Sequence, residues 1–455
     1  MPTPKSNNQS NTQSNIQSNS PINTESTSNI TSQTTNRPDA FAAMRLPDFR
    51  RYVGASFLLT SSQLVQEVVV GYQLYSLTHD PLWLGLVGLA EALPYILVSL
   101  LGGHVADNNK KLPIMRAAMA AIGFGSLVLA WAYSTMGMAA LGTTGLLILT
   151  YAIIAIEGLA KAFYTPAGFA LKSFLVPERI YANAAAWSSS AWQAGSVLGP
   201  GMAGFLYAGL GIQHTLWLTT AAIVLAAIVQ AGIAEPPMPA RPTPEQREPI
   251  FKSLTAGIAF VWHTKPIFYS ISLDLFSVLF GGVVAILPVF AADILHVGPE
   301  GLGILRAAPS IGAVLTLLAL TRFAPKKQVW AKLLFAVAGF GLATIGFGLS
   351  TIFWLSVALL FCTGMFDAVS VVIRSTLLQG LTPPTMRGRV AAVNGIFISS
   401  SNELGAFESG MAARAFGTIP SVVGGGIVTL LVVGYMALNS KIMFQKGDGF
   451  MRGEA

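Results

Sequence analysis

GGHVADNNKK, residues Gly102 to Lys111, closes one long apolar run and opens the next. An apolar stretch ends in the carboxylate of Asp107, two asparagines follow, then Lys110 and Lys111, and a second apolar stretch begins. So short a polar turn between two runs of membrane-spanning length reads as a tight loop joining two transmembrane helices. A second turn, TPPTMRGRVAAVNGIF (Thr382 to Phe397), repeats the pattern near the other end of the chain, with Arg387 and Arg389 as its basic pair.

The composition agrees. The 455 residues are 53% hydrophobic and only 10% charged, and mean hydropathy is +0.60. A soluble globular chain carries about 25% charged residues. Lipid must supply the missing solvation, so the fold class is an all-α polytopic membrane protein. The net charge of +7 is spread over short loops and does not point to nucleic acid. Cys362, the single cysteine, cannot form an internal disulfide and reads as a buried thiol. The five histidines (79, 104, 214, 263, 296) fall at span ends or loops without ligand spacing. There is no Walker loop, HExxH or cysteine-rich metal motif, and no paired catalytic constellation. The reading is therefore no metal, no cofactor and not an enzyme. Residues 1–40 are rich in Ser, Asn, Gln and Thr, too polar to bury a core, and are expected to be a disordered tail without signal-peptide features.

Twelve spans can be drawn, at about 52–77, 84–106, 112–134, 143–171, 182–208, 213–234, 267–292, 301–323, 330–350, 352–380, 388–415 and 420–441. Residues 41–234 form one six-helix bundle and 267–445 a second, with a tail at 446–455. The proline-rich linker 235–266 between them ends in an amphipathic lead-in lying at the membrane surface. Lys and Arg gather in alternate loops, with Arg414 the clear exception, so both termini are expected on the cytoplasmic side. The halves repeat. Glu91-Ala-Leu-Pro94 with Asp107, Lys110 and Lys111 is answered by Arg306-Ala-Ala-Pro309 with Arg322, Lys326 and Lys327. Leu175-Val-Pro177 is answered by Leu381-Thr-Pro383. This is a parallel repeat about an axis along the membrane normal.

These stretches resemble the major facilitator superfamily, in its enterobactin-exporter-like branch of drug:proton antiporters, also called transmembrane secretion effectors. The likeness covers about residues 41–445. It is carried by Gly103-His-Val-Ala-Asp107 with Lys110 and Lys111, by Thr78 to Pro94 (THDPLWLGLVGLAEALP), and by Leu175-Val-Pro177 with Ala182-Asn183-Ala184. Gly195, Gly199-Pro200 and Gly204 resemble the antiporter motif of span 5, and Thr382-Pro383 with Arg387-Gly-Arg389-Val390 the start of span 11. Asn108 departs from the arginine usual after the loop aspartate. The resemblance implies two six-helix bundles around a cavity lined by spans 1, 4, 7 and 10. Spans 2, 5, 8 and 11 would form the rocking interface, and spans 3, 6, 9 and 12 would lie outside. It further implies secondary active transport in the plasma membrane (inner membrane in a two-membrane cell): proton-coupled efflux of a small amphipathic or hydrophobic molecule, siderophore-like or drug-like, by a monomer. A nutrient importer or uniporter, or a non-transporting receptor or lipid-handling protein, are the alternatives.

A charge inside the bilayer faces a wet cavity or a partner, and the interiors of spans 3, 6, 9 and 12 carry none. Glu157 and Lys161, four apart on one face, form either a structural ion pair or a charge-compensated site. Asp367 and Arg374, two turns apart, read the same way. Glu67 and Asp274 have no opposite charge one turn away in sequence, which marks both as proton-coupling candidates. Glu91 and Arg306, repeat counterparts, would pair across the halves. Glu403 and Glu408 fall in the outer half of span 11. By the resemblance, Asp107 would meet the start of span 11 near Arg387 to Val390 when the cytoplasmic side closes. Gly195, Gly199, Pro200 and Gly204 would let helices slide and bend at the moving interface.

Overall fold

The computed structural model describes residues 39–236, 250–322, 328–383 and 386–440. The tail before residue 39, the linker 237–249, the turn with Lys326 and Lys327, and the C-terminal 441–455 lie outside them. So do the side chains of Asp107 and Arg387, and with them the expected contact between Asp107 and the start of span 11. From Phe41 onward the chain packs as one unit.

Local signals set the helix ends. α1 (Pro47–Thr78) begins at a proline, where the missing N–H has no partner to lose, and stops at His79 in the left-handed region. α2 (Pro81–Asn108) is capped by Asp80, whose carboxylate accepts from Leu82 N at 3.0 Å. α3 is Lys111–Ala132. α4 (Thr135–Leu175) is capped by Ser134 and breaks at Gly142, where φ is 60°. The next helical stretch covers Tyr181–Ala231, 51 residues. At about 1.5 Å per residue that is more than twice the thickness of a bilayer core. Gly211, at φ 72° and ψ 171°, divides it into α5 (181–210) and α6 (212–231), a conformation open to glycine because it lacks a Cβ. The chain reverses there: the end of α6 returns to the start of α1, where Arg51 donates to Gly232 O at 2.8 Å.

The linker helix Ile250–His263 precedes α7 (Lys265–Ile294), which is interrupted after Gly281 by short 3-10 and π turns around Pro288. α8 (Gly298–Arg322), α9 (Val329–Leu349), α10 (Phe353–Leu381), α11 (Arg387–Phe416) and α12 (Thr418–Asn439) complete the chain. Among the described residues ten helical stretches are long and apolar enough to cross a membrane. The stretch divided at Gly211 counts for two of the twelve expected spans. The remaining one is α11, too polar to qualify, with Arg389, Asn394, Asn402, Glu403, Glu408 and Arg414 along it. It packs against α2 and α7, so protein neighbours rather than lipid receive its polar groups.

Packing repeats between the halves. α1 lies on α5, α2 on α4, and α3 on α4 and α6; correspondingly α7 lies on α11, α8 on α10, and α9 on α10 and α12. The contacts between bundles, α2 with α11 and α5 with α8, are also counterparts under that relation. Large apolar side chains stand exposed on the outer helices, as Phe124 on α3, Ile228 on α6, Phe335 on α9 and Leu431 on α12. That is a lipid-facing surface.

The ends of the molecule differ. At the end where α1 begins and the basic loops gather (the basic end), each half has its own core, around Phe49, Met115 and Leu171 in one and Leu273, Trp330 and Leu377 in the other. At the far end one core spans both halves, joining Val68, Leu74 and Tyr133 to Leu287, Phe290 and Leu302. The bundles meet at the far end along two backbone-close seams. Gly85 and Gly88 of α2 face Ala406 and Phe407 of α11, and Gly204 of α5 faces Pro299 and Gly303 of α8.

The glycines of α5 therefore divide. Gly195 and Gly199 press on Thr60 and Ser61 of α1, inside one bundle, while Gly201 and Gly204 face α8 of the other. A methyl group at Gly204 would overlap the Pro299 carbonyl and lie 2.9 Å from Gly303 N. Gly204→Val should hold the far-end seam apart. A cysteine at Ala307 should then be labelled by a membrane-impermeant thiol reagent several-fold faster, whereas Gly209→Val, with open space around it, should leave the rate unchanged.

Candidate functional site: a charged cleft between the bundles

In the first bundle a polar network runs across four helices. Thr220 of α6 pairs with Ser126 of α3 at 2.8 Å, and Ser126 donates to Gln66 Oε1 at 2.7 Å. Gln66 Nε2 donates to Glu157 Oε1 of α4 at 3.0 Å. The amide thus joins Ser126 to a carboxylate that, among the described residues, holds no direct ion pair. One turn along, Lys161 bonds Glu91 of α2 at 2.5 Å. Glu67, next to Gln66 on α1, reaches across to Arg306 of α8 at 2.8 Å. That pair spans the two bundles, and its ends differ: the Glu67 side chain is 42% exposed to the cleft and Arg306 only 7%.

In the second bundle Arg374 of α10 bonds Asp274 of α7, both nearly buried. Asp367 lies close enough to feel both charges. These three line a cavity of about 430 Å³ that continues past Trp192, Ser196, Leu317 and Asn394. Leu317 and Asn394 lie on the halves of α8 and α11 nearest the basic end, so the cavity extends that way from mid-helix. Arg306 and Arg374 each keep a buried Nε–H without a hydrogen-bond partner.

Every pairing differs from the one sequence spacing suggests. Lys161 takes Glu91 and not Glu157, because its long side chain reaches the neighbouring helix while Glu157 turns toward Gln66. Arg374 bonds Asp274, with Asp367 beside the pair. Arg306 takes Glu67 and not Glu91. Glu67 and Asp274, chosen for lacking a partner nearby in sequence, each have one from another helix. Sequence separation along one helix says nothing about charges that neighbouring helices bring alongside.

Two far-end contacts escaped the sequence reading altogether. Tyr75 Oη donates to Asp293 of α7, and Arg414 of α11 pairs with Asp80 at 3.3 Å. Both join the two bundles. Arg414 had a signal, being the basic residue on a side otherwise nearly free of Lys and Arg. Gln66 had one too, as an amide among the valines of α1.

The model of the Major Facilitator Superfamily matches residues 53–406. The chain belongs to the major facilitator superfamily. It is a membrane transporter of the secondary class and not an enzyme. The enterobactin exporter EntS of Escherichia coli O1:K1 / APEC is 27% identical over 398 residues, which is 86% of this chain and 91% of that protein. EntS of Shigella boydii serotype 18 matches equally well. Among solved structures, a bacterial homologue of the human lysosomal transporter Spinster, inward-facing and unoccupied, superposes with a TM-score of 0.68 at 17% identity, covering 88% of this chain and 97% of that one. A D-xylose–proton symporter gives 0.65 at 14% identity, covering 88% and 97%. At these identities the solved structures establish the fold alone.

The Asp274–Arg374 pair is buried deeply enough that removing one partner strands the other. Asp274→Leu should lower stability by about 3 kcal/mol, read as a lower melting temperature in detergent. The double variant Asp274→Leu with Arg374→Leu should recover more than half of that loss.

Proposed function

We propose that this transporter is a proton-coupled exporter of the bacterial inner membrane. It moves a small amphipathic molecule, siderophore-like or drug-like, outward by alternating access. It acts as a monomer with both termini in the cytoplasm. The observation that carries this reading is the cleft itself. Two bundles are joined at one end, charged side chains from α1, α4, α7 and α10 converge at mid-height, and a cavity extends from there toward the basic end. With the basic loops cytoplasmic, the state described is open inward and closed outward.

The chemistry of the cleft fits the cargo class. Trp192 offers an apolar face, and Ser196, Asn394 and Asn402 offer hydrogen bonds to a polar edge. Likeness over most of its length to an enterobactin exporter supports a catechol-bearing cargo and outward transport. Proton coupling is assigned to the two bundle-lining pairs, Glu67 with Arg306 and Asp274 with Arg374. Protonation neutralises the carboxylate and releases its arginine, whose charge must then be met by a neighbouring carboxylate or by water in the cleft, so proton loading is linked to rearrangement of the pair. Glu157, Lys161, Asp367 and Glu91 set the field around them. Lys110, Lys111, Arg387 and Arg389 belong to the cytoplasmic turns that come together when the inward side closes, with Asp107 contacting the start of α11 in that state.

Proteoliposomes with an imposed pH gradient and a panel of catechol siderophores, dyes and antibiotics test the reading. Transport should follow the gradient and stop with an uncoupler; flux indifferent to the gradient would identify a uniporter. Asp274→Asn or Glu67→Gln should reduce proton-driven transport at least about tenfold at equal expression, and unchanged transport in both would refute the coupling assignment. In a Cys362→Ala background, a short bifunctional crosslink between cysteines at Asp80 and Arg414 should stop transport, and cleaving it should restore the rate.

A further inference from the structure

Glu403 sits in the middle of α11, on the seam with α2. A methyl group added to Gly88 would lie 3.3 Å from Glu403 Oε2 and 3.0 Å from its backbone carbonyl, so the side chain is wedged against the opposite bundle. Among the described residues it has no hydrogen bond and no ion pair. The charges that act on it are Glu91 of α2, Glu67 of α1 and Lys161 of α4. Lys161 is already bonded to Glu91, and Arg306 of α8 to Glu67. Gly405 of α11 abuts Val278 and Leu279 of α7, which carry no charge. α12 has no acidic or basic residue, and the linker helix touches α11 far away, at Arg389 and Val393. Glu408 is on α11 itself, more than a turn further toward the far end. The cluster therefore brings four carboxyl groups, Glu67, Glu91, Glu157 and Glu403, together with two cations; Gln66 holds Glu157, and among the described residues Glu403 is the one left with no partner.

We infer that Glu403 carries the proton whose presence allows the outward ends of the two bundles to close. A third carboxylate within electrostatic reach of Glu67 and Glu91 would repel both across a desolvated seam, and a neutral acid would not. When the bundles part at the outer end, Glu403 meets external water and can take a proton. When they close, that proton is held at mid-membrane beside the cleft, and its release to the inner side restores the repulsion that reopens the outer seam. This inference rests on the alternating-access reading above and adds a carrier on the moving interface, apart from the arginine-paired carboxylates.

The test follows the outer seam without any cargo. Spin labels at Ser76 of α1 and Ile419 of α12, in the Cys362→Ala protein in nanodiscs, report the distance between the outer ends. In the parent protein the open-to-closed ratio should rise with pH, by at most about tenfold per pH unit for a single proton. Glu403→Gln should stay closed from pH 6 to pH 9, whereas Glu403→Asp and Glu408→Gln should keep the response. A full pH response in Glu403→Gln, or none in the parent protein, overturns the inference. A pH-dependent seam in a protein that shows no proton-driven transport would instead count against the proposed function and leave the role of Glu403 standing.

Discussion

A charge placed at mid-bilayer on a single helix costs about 3 kcal/mol even on the mildest scales. The core of this molecule holds acidic and basic residues on seven of its helices, α1, α2, α4, α7, α8, α10 and α11. Such a chain is stable only if each of those side chains finds a partner or water. The pairs Lys161–Glu91, Arg306–Glu67 and Arg374–Asp274 are the answer at mid-height, and Arg414–Asp80 answers it at the rim of the far end. The helices facing lipid carry no charge in their interiors and expose Phe, Ile and Leu. The requirement that charge be compensated thus sorts the helices into lining and lipid-facing sets.

The same pairs bear on motion. Lys161–Glu91 and Arg374–Asp274 lie within one bundle each, so they hold through a rigid-body rocking. Arg306–Glu67, Arg414–Asp80 and Tyr75–Asp293 cross between bundles and must break for the bundles to part at the far end. Their number is small, and the apolar core they flank is shared only at that end. Close packing at glycine lets the seams part as surfaces rather than as interlocked side chains, because no side chain at Gly85, Gly88, Gly204 or Gly303 has to be withdrawn. Two discrete arrangements of the bundles are what a transporter requires, and a seam of this kind supplies them.

Much of this was legible in the chain because hydrocarbon imposes simple rules. Span length follows from bilayer thickness, and the expected limits of most spans fall within a few residues of the helices. The distribution of charged spans over the two halves marked the lining helices, and Arg414 stood out as a displaced basic residue whose partner, Asp80, only the structure supplied. The division of 181–231 at Gly211 was also expected from length. α11 was legible as a span at 388–415 even though it is too polar for a lipid-facing helix, and what the structure adds is that α2 and α7 receive its polar groups. The glycines of α5 were recognised as packing residues, but which of them face the neighbour within the bundle and which the opposite bundle depends on how the helix is rotated.

The amino-acid sequence by itself determined that this is an all-helical transporter of two matching halves, and which spans hold the charges. Periodicity, hydropathy and local motifs are properties of one segment at a time, and they suffice for that. Tertiary structure alone decided which charge meets which, that Gln66 links Ser126 to Glu157, and that Glu403 is left without a counter-charge between the bundles. Those facts arise where helices far apart in sequence are brought to within 3 Å, and no spacing along one helix encodes which neighbour arrives there.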